Sequence, residues 1–142
     1  MGRSQVKKMM RTGGRPDDSG VGVVEFALVL PLLMMLVFGT VQFGLLYNRQ
    51  QALHAAAREG ARLAAIPSAT LSEINTHALD ALNGIPLEGT PTVTVTPNVS
   101  RPCEGRLGEA VLVEVSVNTT IEIPVWGTES KTLKGRGEFR CE

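Results

Sequence analysis

From Phe26 to Tyr47 the chain runs for 22 residues without a charge, and Thr40 and Gln42 are its only clearly polar side chains. At 1.5 Å per helical residue such a run covers about 33 Å, which matches the hydrocarbon core of a bilayer. It exceeds the apolar core of a cleaved secretory signal, and Arg49-Gln50-Gln51-Ala52 behind it offers no small-residue cleavage site. A retained membrane helix is therefore predicted, with Tyr47 at the interface. Alanine-rich sequence from Gln50 to Ala65 extends it to about 45 residues, alanine being the best helix former. Pro67 ends it, and Pro31 is expected to bend it within the membrane by removing a backbone donor.

Thr70-Leu71-Ser72-Glu73 forms a capping box, and Leu71, Ile74, Ala78, Leu79 and Leu82 give the apolar stripe of a second helix over about residues 71–83, stopped by Gly84. From Pro91 the period changes to two. Thr92 to Thr96 and Val111 to Asn118 alternate valines with mostly polar residues, as half-buried antiparallel strands do. A further strand is expected from Thr120 to Trp126, interrupted by Pro124, and a last one from Lys131 to Cys141. Residues 97–108 read as a loop holding Cys103. Trp126, beside Pro124, is expected in a small core. The fold class is α+β: a long N-terminal helix, a second helix and a short antiparallel sheet.

Ala52, Ala56, Gly60 and Ala64 recur every four residues and form a ridge with almost no side-chain bulk. Two readings are open: the ridge packs on the chain's own domain, or it meets a helix of another subunit. Arg58 and Arg62 point roughly the opposite way.

Charge is distributed unevenly although its sum is zero. Arg3, Lys7, Lys8, Arg11 and Arg15 precede the apolar run, whereas only Arg49, Arg58 and Arg62 follow it closely. That bias places the N-terminus in the cytoplasm and the remainder outside. There Cys103 and Cys141, the only cysteines, can oxidise to a pair, closing a loop of about 39 residues with a stabilisation of roughly 4 kcal/mol. Two free thiols are the alternative. The balanced charge argues against a nucleic-acid surface.

Glu25 is the residue that needs a reason, because a carboxylate beside an apolar run costs free energy, up to about 3 kcal/mol at a helix centre. It stands five residues after Gly20 and directly before Phe26. Glycine, four residues, then Glu-Phe heading an apolar helix is similar to the arrangement that a prepilin peptidase recognises. Cleavage after Gly20 would remove five of fourteen basic and two of fourteen acidic residues, leaving nine against twelve. It would also give Val21 a new α-amino group one helical turn from Glu25. In a bundle of such helices the carboxylate of one subunit can pair with the amine of its neighbour and set their axial register. A carboxylate resting in the headgroup layer is the plainer alternative.

Gly20 to Phe26, Ala27-Leu28-Val29-Leu30-Pro31, Phe38-Gly39, Gln42-Phe43-Gly44 and Ala56-Ala57-Arg58-Glu59-Gly60-Ala61-Arg62 together resemble the TadE-like pseudopilins of tight-adherence pilus systems. The resemblance covers residues 20–65 and implies a minor pilin of pilin-like architecture, processed by a prepilin peptidase and acting in pilus assembly. It implies Gly20 and Val21 as the processing site, and Glu25 and Phe26 in assembly. The implied partners are the bilayer, the peptidase, sibling pilin subunits and the assembly platform. The resulting organisation is a cleaved basic leader (1–20), a transmembrane helix (21–47), its membrane-proximal continuation (48–66) and a small extracytoplasmic domain (67–142). An uncleaved membrane protein tethering a small binding domain is the competing reading.

No catalytic, cofactor-binding or metal-ligating set is expected. His54 and His77 fall in separate helices without cysteine or carboxylate at metal spacing and read as helix-surface residues. Gly13-Gly14 and Gly135-Arg136-Gly137 lack the strand-turn-helix setting of a phosphate loop. No small-molecule substrate is implied.

Overall fold

The computed structural model describes residues 18–123 and 127–142. The basic leader through Asp17 and the segment Pro124-Val125-Trp126 lie outside them, and with them the expectation for Trp126. The element order is α1 (Asp18–Ala64), α2 (Leu71–Asp80), β1 (Thr92–Thr96), β2 (Ala110–Ile123) and β3 (Gly127–Arg140). This is the α+β class that the hydrophobic periodicities predict.

α1 is one helix of 47 residues and passes through Pro31 without interruption. The chain divides into two compact units between Phe38 and Gly39. In the first, apolar side chains stand exposed all round the helix, Leu28 at 75% and Leu32 at 70%. A helix hydrophobic on every side is soluble only if something apolar surrounds it.

In the second unit the same helix acquires a buried face. Leu53, Ala56, Ala57, Gly60, Ala61 and Ala64 recur at the three- and four-residue steps of one helical stripe and are all buried. Because all but Leu53 are small, the helix lies close to the sheet. Val111, Val113, Val115 and Val117 of β2 form the opposing surface and are buried. Each such side chain contributes about 1.5–3 kcal/mol when fully removed from water.

The sheet is antiparallel in the order β1-β2-β3. β2 and β3 pair from Ala110↔Arg140 to Ile123↔Gly127, whereas β1 covers only Leu112 to Ser116. Beyond β1 the other two strands therefore continue as a two-stranded arm. Of the strand expected from Thr120 to Trp126, residues 120–123 extend β2, since β3 supplies their hydrogen-bonded partners, and the remainder lies outside the described residues. β3 likewise begins earlier than the expected Lys131.

α2 starts at the capping box, with the Thr70 backbone N–H donating to Glu73 Oε2 (2.9 Å) and the Glu73 N–H to Thr70 Oγ1 (3.4 Å). It ends at Asp80, short of the predicted residue 83, and the chain turns on through Gly84 at φ 84°. Ile74 and Ala78 are its buried face.

Candidate processing and assembly site

Gly20, Val21, Glu25 and Phe26 all lie in the first turns of α1. Val21 and Glu25 are four residues apart, so both side chains share one face of the helix. Both are exposed, as is Phe26 at 62%. No ion pair joins Glu25 to another described residue. Cβ atoms placed at Gly20 or Gly22 would meet nothing within 4 Å. Exposed side chains at a helix end are presented to whatever surrounds them, whether lipid, an enzyme or another subunit.

The small-residue ridge has a different environment. Ala56, Gly60 and Ala64 are buried and Ala52 partly so, all against the chain's own core. A Cβ at Gly60 would stand 3.0 Å from Ala78 Cβ and 3.2 Å from Val113 Cγ1, so this position joins α1, α2 and β2. Of the two readings of the ridge, the structure shows packing within the chain. Arg58 and Arg62 lie on the exposed side, and Arg62 bonds Glu59, holding its carboxyl below the usual range.

Sequence reasoning missed the docking of β3 on α1. Gly135 and Gly137 alternate along the strand, and a Cβ on either would strike the α1 backbone, at Leu53–His54 and Ala57–Arg58 respectively. Their neighbours are sealed by side chains one helical turn apart. Gln50 Nε2 donates to the Lys134 carbonyl (2.6 Å), and the Arg136 N–H donates to His54 Nδ1 (3.3 Å). His54 thus caps a strand edge and is partly buried, rather than being an ordinary surface residue. The Gly-x-Gly spacing was the available signal.

Two polar clusters join neighbouring elements of the domain. Glu88 receives Arg49 Nη1 (2.8 Å), Thr120 Oγ1 (3.0 Å) and Thr119 Oγ1 (3.1 Å), bonds that hold its carboxyl below the usual range. On the outer face of the sheet, Glu114 accepts from Lys134 Nζ (2.9 Å) and Arg136 Nε (2.7 Å) and is lowered for the same reason. Cys103 and Cys141 are joined by a disulfide that ties the β1–β2 loop to the end of β3, with their Cα atoms 5.3 Å apart. Beside it Gly108 N–H bonds the Cys141 carbonyl, and the Glu142 N–H bonds the carbonyl of Ala65. Among the described residues no group of three His, Cys, Asp or Glu could hold a metal.

An α+β protein with a candidate membrane-spanning helix is the class these features define: α1 is long and apolar enough to cross a membrane, and it is the one such helix among the described residues. Residues 20–62 match the family model of TadE-like proteins, so over that stretch the chain carries the TadE-like signature read from Gly20 to Arg62. The match covers α1 and stops before α2, less than half of the chain. No curated protein and no solved structure matches the chain. The family match and the exposed apolar helix fit a membrane-associated pilus component.

Proposed function

We propose that this protein is a TadE-like minor pilin or pseudopilin: a single-pass protein of the cytoplasmic membrane, processed by a prepilin peptidase and acting in assembly of tight-adherence pili. It is a structural subunit and not an enzyme. The observation that carries the reading is the family match beginning at Gly20, at the head of a helix whose Glu25 and Phe26 are exposed.

In this reading residues 1–20 are a cytoplasmic leader, 21–47 cross the bilayer, 48–66 continue the helix, and 67–142 complete an extracytoplasmic domain. Cleavage between Gly20 and Val21 creates the amine that Glu25 of an adjoining subunit engages, with Phe26 beside it in the helix bundle. Partners are sibling pilin subunits and the assembly platform. Burial of the small-residue ridge supports contacts made through the span rather than through residues 52–64.

The test is the N-terminal sequence and intact mass of protein recovered from membranes and from sheared surface material. A chain beginning at Val21 is expected, and Gly20→Trp should abolish it together with pilus display. A chain still beginning at Met1 or Gly2 beside an active prepilin peptidase overturns the reading and leaves a tethered binding domain.

A further inference from the structure

Three contacts fix how β3 lies along α1: Gly135 sits over Leu53, Gly137 over Ala57, and the Glu142 N–H bonds the Ala65 carbonyl. The strand and the helix therefore run in the same direction. A strand residue advances about 3.3 Å and a helical residue 1.5 Å, so going back along β3 the chain overtakes α1 by roughly two to one. Lys131, four residues before Gly135, lies about 13 Å back, which corresponds to at most about nine helical residues before Leu53.

An independent contact agrees. Lys131 pairs with Thr119, and Thr119 accepts from Arg49 Nη1 (3.3 Å), a side chain that reaches toward the N-terminus of its helix. The 119/131 pair thus stands near the level of Tyr47. Residues 120–123 and 127–130 continue the arm about 13 Å further, in the direction of Tyr47 and the turns of α1 that precede it. Those turns, 39–47, belong to the same compact unit as the arm.

We propose that the exposed stretch Thr128–Lys131 of the β2–β3 arm is a second membrane contact, seated in the lipid headgroup layer of the bilayer that α1 crosses. The proposal rests on the reading of α1 as a membrane span. The headgroup layer is about 5–8 Å thick on each side, less than the reach of the arm, so an upright helix with Tyr47 at the interface cannot keep the arm in water. Entry into the hydrocarbon is opposed by the open edge of β3, whose backbone groups need water or lipid oxygens as partners. Thr128, Ser130 and Lys131 are exposed hydroxyls and an ammonium, donors suited to phosphate and ester oxygens, with the exposed carboxylate of Glu129 among them turned to water. The arm then acts as a stop that sets how deep the helix sits.

The experiment uses the full chain in phosphatidylethanolamine–phosphatidylglycerol vesicles, with the native disulfide intact and one fluorophore on Ser130→Cys, Val41→Cys or Glu104→Cys. Spin-labelled lipids carrying the quencher on the headgroup or on the acyl chain report depth. The Ser130 label should be quenched by headgroup spin labels several-fold more than the Glu104 label, and the Val41 label by acyl-chain spin labels. A Ser130 label that behaves like the Glu104 label while Val41 is quenched overturns the proposal and leaves the span intact. A Val41 label untouched by either lipid overturns the span reading itself. Shielding of Ser130 that follows protein density instead of lipid also overturns the proposal, assigning the arm to a second copy.

Discussion

The two parts of α1 have similar helix-forming sequence and opposite surroundings. Up to Tyr47 the large apolar side chains stand mostly exposed, and glycines 39 and 44 have open space where a Cβ would go. From Leu53 to Ala64 one stripe is fully buried, and Gly60 has neighbours at contact distance. The first part is built to be completed by another medium, the second is already completed by its own domain. A small residue therefore means different things in the two halves.

The strongest challenge to this contrast is Gly135→Val or Gly137→Val. Either side chain would have to displace the α1 backbone, so a loss of more than about 4 kcal/mol is expected, seen as failure to reach the folded state in thermal unfolding of the protein in detergent. A fold that survives either substitution would mean that the helix is not held against the sheet.

Next comes Cys103→Ser with Cys141→Ser. The bridge closes 38 residues between the loop and the end of β3, and its removal should cost about 2–4 kcal/mol in chemical denaturation. Unchanged stability of the double variant would contradict a structural role for the bridge.

Gly60→Ala and Gly44→Ala form a matched pair. The first adds a methyl 3.0 Å from Ala78 Cβ and should cost about 1–3 kcal/mol; the second meets nothing within 4 Å and should leave the domain's melting temperature unchanged. Equal effects would erase the distinction between the two halves.

The smallest effect is that of pH. Ion-paired Glu114 and Glu88 have carboxyls lowered in the folded state, so their contribution is present above the ordinary glutamate range and is lost as pH falls through the folded values. Stability should decline from about pH 5 downward, and Glu114→Gln should flatten that decline. An unchanged acid limb in Glu114→Gln would remove the Lys134–Glu114–Arg136 cluster from the account.

Much of this architecture was legible beforehand because it rests on local rules. The charge-free run specifies a helix that needs an apolar medium, Thr70 and Glu73 specify a helix start, and alternating valines specify strands with one buried face. Element ends were less accurate: whether Thr120–Ile123 is a new strand or more of β2 depends on pairing with Gly127–Ser130 across the hairpin, not on the alternation within the strand itself. The arrangement from Gly20 to Phe26 was readable as spacing alone, and its side chains stand exposed.

What the sequence by itself determined is the helix, its apolar length, the motif from Gly20 to Phe26 and the change of period after Pro91. These follow from properties that each residue carries wherever it sits: charge, hydrophobicity and backbone preference. What only the tertiary structure decided is which surface each element spends. Whether the alanine ridge faces its own sheet, why Gly135 and Gly137 must lack side chains, what His54 bonds, and how far β2–β3 reaches along α1 are set by non-local distances. Such distances arise only when residues 53 and 135, far apart in the chain, are brought into contact.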